Sequence, residues 1–145
     1  MDLLVAKEIT AYATPTGQLV DCVWYFDLLT SCAAFSFAAS STQLDGWVVY
    51  GALIISYSEI AVNQRSPFMH DRSVVPSFRV EKVKKIIYEE DEVLAECGLI
   101  LFGNDSRSIT VACGIPSGSV NAEGEMFEGN FKPLYPLALC TFHDF

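Results

Sequence analysis

The chain is poor in the residues from which most catalytic centres are built. It has two histidines in 145 residues, His70 and His143. Its five cysteines, Cys22, Cys32, Cys97, Cys113 and Cys140, are scattered and form no C-x-x-C pair. A zinc site needs four ligands, commonly at short spacings, so no metal is expected. Cations are scarce as well, nine against eighteen acids, for a formal net charge of −9. A phosphate backbone repels a body of that sign, which removes nucleic acid from the expected partners. Near Met1 there is no cationic segment leading into an apolar run with a small-residue cleavage site. The expectation is a cytoplasmic protein with reduced thiols, each cysteine buried in an apolar run as a small hydrophobe.

Long apolar spans are missing too. Residues 28–44 run for 17 positions without a charge, but a spanning helix needs about 20. The second half of that run is rich in Ser and Ala, and neither flank carries Lys or Arg. Residues 46–58 are shorter still and rich in Val, Ile, Tyr and Trp, which is strand composition. No membrane partner is expected.

What is present is core-forming material. The chain is 51% hydrophobic and 12% aromatic, enough for one packed domain over residues 1–145. A domain of that length buries roughly 70% of the surface its unfolded chain exposes. The pattern predicts a mainly β fold, an antiparallel sandwich or partly open barrel with at most one or two short helices; α+β is the alternative. Residues 4–14 and 19–28 read as strands joined by the turn-forming Pro-Thr-Gly-Gln at 15–18. Phe35, Phe37 and Ala39 alternate as one apolar face of a strand, which then turns through residues 41–46 towards Trp47. Gly103, Asn104, Asp105 and Ser106 lie between two apolar runs, predicting a hairpin with strands at 98–102 and 107–113.

Residues 80–88 are ambiguous, because Val80, Val83 and Ile87 also fit a helical face. Bases lead and acids follow there, the reverse of what a helix dipole favours, so a strand is expected, with a turn or short helix over 89–96. The last fifteen residues, with Pro133 and Pro136, read as an irregular or edge segment packed on the domain.

Charge is unevenly distributed. Residues 1–64 carry one base and six acids, residues 65–85 six bases and two acids, and residues 86–145 two bases and ten acids. The densest acidic cluster is Glu89, Glu90, Asp91 and Glu92; a second places Glu123, Glu125 and Glu128 around Met126 and Phe127. Carboxylates flanking aromatic and thioether side chains suit a rim with apolar anchors for a basic protein partner.

No catalytic residue is assigned and no cofactor is implied. His70 with Asp71 and His143 with Asp144 are sequence neighbours, and neighbours in a strand point to opposite faces. Residues 114–120 read Gly-x-x-Ser-Gly, not the Gly-x-Ser-x-Gly of a nucleophile elbow. Neither glycine-containing turn ends in the Lys-Ser/Thr of a phosphate loop. Three classes of function fit. The first is a non-enzymatic binding or inhibitor protein whose acidic surface neutralises a basic partner, in the manner of an immunity protein. The second is a small-ligand-binding or enzymatic β-barrel, with Trp24, Tyr25, Trp47 and Tyr57 lining a pocket and Arg72 or Arg79 holding an anion. The third is a self-assembling subunit whose sheet edges pair with copies of itself.

Overall fold

A computed structural model describes residues 3–44, 48–59 and 71–145. Nine strands follow one another along the chain: β1 Glu8–Thr14, β2 Phe26–Leu29, β3 Ala33–Leu44, β4 Val48–Glu59, β5 Asp71–Glu90, β6 Val93–Gly103, β7 Ser108–Cys113, β8 Val120–Glu123 and β9 Cys140–Asp144. The single helical element among the described residues is a 3₁₀ turn, Leu137–Leu139. The expected mainly β, antiparallel architecture is therefore present, without the helical component of an α+β fold.

All strand pairs are antiparallel, in the order β4-β3-β2-β1-β5-β6-β7-β8, with β9 added on β5. One strand links the two halves. The first part of β5 pairs with β1, from Asp71↔Thr14 to Arg79↔Glu8, and the second part pairs with β6, from Val80↔Gly103 to Glu90↔Val93. The change of partner coincides with a bulge between Val80 and Lys82. An extra residue there bends the strand and increases its twist, so one continuous chain can serve two packed layers.

The core lies between the layers. Phe26, Phe35 and Phe37 from β2 and β3 meet Phe78, Val80, Leu99, Leu101, Ile109 and Val111 from β5, β6 and β7. Each fully buried side chain of this kind contributes about 1.5–3 kcal/mol relative to leaving it in water. Close approach is possible where side chains are absent. A Cβ on Gly98 would stand 2.7 Å from the Val111 carbonyl oxygen, and one on Gly51 would stand 2.7 Å from the Leu134 side chain.

Some local readings need correction. The uncharged run 28–44 is the end of β2 and all of β3, and β3 continues through residues 41–44, where a turn was expected. Of the turn or short helix expected over residues 89–96 the turn is present, and β5 and β6 are joined directly through Asp91 and Glu92. Residues 4–7 precede β1, and only 26–28 of the stretch 19–28 belong to a strand. A turn between Cys22 and Leu19 (N–H to carbonyl, 3.0 Å) breaks the extension. What remains is a rung: Val23 and Val120 exchange backbone hydrogen bonds of 2.9 and 2.7 Å, and Ala122 donates to the Val20 carbonyl at 2.8 Å. This segment covers the outer edge of β8, and the sheet is partly closed. Cys22 and Cys32 are exposed, contrary to the expectation of burial, whereas Cys97 and Cys113 are buried. Burial pushes both inner thiols up to about 12.

Candidate functional site

Three of the six cations in residues 65–85 are paired with carboxylates within the fold. Lys82 Nζ lies 2.9 Å from Asp144 Oδ1, Lys84 Nζ lies 3.8 Å from the same atom, and Lys85 Nζ lies 3.2 Å from Glu96 Oε1. Antiparallel pairing of β9 with β5, in the register Lys84↔Asp144, brings Asp144 to Lys82 and Lys84, and pairing of β6 with β5 brings Glu96 to Lys85. The Lys82 ammonium holds the Asp144 carboxyl below the usual carboxylate range. Lys85 also lies 4.8 Å from the centre of the Phe145 ring. Arg107 reaches Asp105 at 2.6 Å, and this contact lowers the Asp105 carboxyl in the same way.

The acidic cluster at the β5–β6 turn has no such compensation. Glu89 pairs with Leu94 and Glu90 with Val93 across the hairpin, and Asp91 turns the chain with φ 52°, a left-handed conformation that Asp tolerates. Glu89, Glu90, Asp91 and Glu92 are all exposed. Among the described residues, no Lys, Arg or His forms an ion pair with any of them. The base of the hairpin is rigid, because Tyr88 stacks on Tyr135 with ring centres 4.1 Å apart and planes within 9°. The Tyr88 hydroxyl donates to Glu90 Oε2 at 3.1 Å; partial burial, then this carboxylate, raise the phenol above its ordinary value.

The second acidic cluster lies elsewhere. Glu123 ends β8 opposite Thr110, which is in register with Ile100 and, through it, with Lys84. Six residues of β5 separate that level from Glu90, about 20 Å along the strand. Past Glu123 the chain runs further from the turn, so the two clusters stand at opposite ends of this layer and do not form one surface. Glu123, Glu125 and Glu128 are exposed, whereas Met126 and Phe127 are partly buried against the core. Phe127 meets Tyr12 edge-on at 5.0 Å and Phe26 at 5.5 Å. Its position is that of a core-edge residue; it does not project as an anchor.

An open cleft of about 600 Å³ lies beside this loop, with Tyr12, Thr14, Asp71, Arg72, Met126 and Glu128 on its walls. Sequence reasoning named Arg72, Met126 and Glu128 separately; only the pairing of β1 with the start of β5 brings them together. The proposed aromatic pocket is not assembled. Trp24 and Tyr25 are exposed at the Val23 rung, Tyr57 packs on Phe35 at 5.1 Å in β4, and Trp47 lies outside the described residues. Arg79 stands across from Glu8, away from the cleft walls.

The His143–Asp144 pair is not a dyad on the observed geometry. His143 Nε2 is 2.9 Å from the Thr141 hydroxyl, while Asp144 faces Lys82 and Lys84. His70 lies outside the described residues. Among those described, no three His, Cys, Asp or Glu side chains are grouped to hold a metal ion, and no helix is long and apolar enough to cross a membrane. Compared with protein-family models, curated proteins and solved structures, the chain matches none.

Proposed function

We propose that this protein is a non-enzymatic binding protein that takes a cationic protein partner at the β5–β6 turn, in the manner of an inhibitor or immunity protein that covers a basic enzyme. One observation carries this reading. Lys82, Lys84 and Lys85 of β5 are held by Asp144 and Glu96, while the four carboxylates at the end of the same hairpin have no internal counter-ion among the described residues. Adjacent like charges are unfavourable in the free protein, and a basic partner removes that repulsion on binding. Long-range attraction also speeds encounter and makes it salt-dependent. The five thiols, none in a disulfide, suit a reducing, cytoplasm-like compartment.

The test uses the wild-type chain as bait beside two variants. One carries Glu89→Lys, Glu90→Lys, Asp91→Lys and Glu92→Lys; the other carries Glu123→Lys, Glu125→Lys and Glu128→Lys. The reading expects the wild type and the loop variant to recover the same basic protein at low salt, and the turn variant to lose it. Recovery of that protein by the turn variant, or recovery only of an acidic or neutral one, would remove the turn as the site.

A further inference from the structure

Several runs of strand edge among the described residues have no strand neighbour on one side, and three of them are protected. The outer edge of β8 is covered by Val20 and Val23. The edge of β5 away from β1 contains Pro76. There the Arg107 guanidinium donates to the carbonyls of Pro76 and Ser77, and the Asn104 N–H reaches the Arg79 carbonyl at 3.2 Å. The outer edge of β9 is only five residues long, and it carries exposed His143 and Asp144. Proline, a charged side chain laid over the edge, and short length are all devices that keep a sheet edge from pairing with another chain.

The outer edge of β4 has none of them among the described residues. It is twelve residues long, pairs with β3 in an unbroken register from Leu44↔Val48 to Ala33↔Glu59, and carries no charge before Glu59. The direction of its backbone groups follows from one contact: the Gly51 N–H donates to the Tyr135 hydroxyl at 2.9 Å, on the side away from β3. In an antiparallel pair, alternate residues turn their N–H and C=O to the same side. Leu53, Ile55 and Tyr57 therefore present theirs outward, and no described strand meets them. Ile54, on the outer face, is 48% exposed.

We propose that this edge pairs antiparallel with the same edge of a second copy, about a twofold axis at Ile55. The occupant is argued from charge. A molecule of net charge −9 repels its copies, but β3 and β4 together carry a single charge, Glu59. This arm is where two copies approach at least electrostatic cost. With the axis at Ile55, Leu53 faces Tyr57 of the second copy, and about six backbone hydrogen bonds form. The two Glu59 residues then stand about 27 Å apart. Tyr135 ends the pairing at Gly51. Because both copies use the same edge, the assembly closes as a dimer and does not extend into a fibre.

This register is directly testable, since it sets Ile54 of one copy against Ser56 of the other. One variant carries Ile54→Lys and Ser56→Lys, and a second carries Ile54→Glu and Ser56→Glu, all on the exposed face. Sedimentation equilibrium over a concentration series should give the wild type twice the chain mass of 16.0 kDa. Each variant alone should dissociate at least about ten-fold more readily, because like charges sit directly opposite, and an equal mixture should restore the dimer. Amide exchange of wild-type Leu53, Ile55 and Tyr57 provides a second measurement, independent of how the variants fold; protection should rise with protein concentration. A wild type that stays monomeric at about 100 μM, variants that dimerise unchanged, a mixture that fails to restore the dimer, or exchange independent of concentration would each overturn the proposal.

Discussion

The two longest hairpins of this protein solve the same problem in opposite ways. In β3–β4 twelve residues face twelve without a shift in register, and one residue is charged. In β5–β6 the register shifts twice, after Val80 and after Ile86, and twelve residues from Asp71 to Glu96 are charged, ten in the strands and Asp91 and Glu92 in the turn. The first hairpin is held by apolar contact, with Phe35 and Phe37 fully inside. The second adds a surface on which cations and carboxylates are segregated, with Lys82, Lys84 and Lys85 neutralised near its middle and Glu89 to Glu92 left at its end. The lesson is that regular pairing and charge patterning are separable: the regular arm gains stability and leaves an unprotected edge, while the bulged, charged arm presents a recognition surface.

That contrast can be broken from the apolar side first. Phe37→Ala should cost about 3–5 kcal/mol, read by denaturant unfolding, because it empties the contact between layers. Phe127→Ala should cost about 1.5–3 kcal/mol, since the ring is half-buried against Tyr12 and Phe26. A loss of binding without any loss of stability would instead return Phe127 to the role of an anchor. Gly98→Ala should cost about 1–3 kcal/mol, because the added Cβ meets the Val111 backbone, which cannot move aside without disturbing β7.

The smallest stability effect lies on the charged side. The Asp144 carboxyl is depressed by Lys82, so its contribution is fully present above the ordinary carboxylate value and is lost as pH falls through the lowered one. Amide protection in β9, taken relative to the intrinsic exchange rate at the same pH, should therefore fall at acid pH or in about 1 M salt, while β3 and β4 stay protected. Equal loosening of both regions would show that ion pairs do not distinguish them.

The alternation of Phe35, Phe37 and Ala39 and the turn at residues 103–106 were legible because both are local: a period of two and a turn composition need no partner to be read. The helix-like spacing that made residues 80–88 ambiguous, within what is indeed the expected strand, has a definable cause. The buried positions of β5 are Val75, Phe78, Val80, Val83 and Ile86. The register shifts opposite Ile9 to Ala11 and after Val80 accompany two intervals of three, and the third arises because the strand is buried on both faces. A bulge is set by the neighbouring strand and has no signature in the strand itself. Residues 19–25 read as a strand from composition, yet Asp21 there holds a distant loop, accepting from the Asn130 N–H at 3.3 Å. The acidic turn was visible as a cluster. That it lacks counter-ions while Lys82, Lys84 and Lys85 have them was not visible, because Asp144 stands about sixty positions further along the chain. The Met126 and Phe127 anchor was read from acidic neighbours, and core packing took precedence.

The central claim is that the carboxylates of the β5–β6 turn meet a cationic partner. The most direct measurement is the association rate of that partner, recovered with the wild-type chain, against the wild type and the variant with Glu89, Glu90, Asp91 and Glu92 changed to Lys, at low and high salt. The account predicts that association slows at least about ten-fold at low salt, that dissociation changes by less than about three-fold, and that most of the salt dependence disappears while the unfolding midpoint stays put. An unchanged association rate with the salt dependence intact would contradict it, and would reduce the acidity of the turn to a device for solubility.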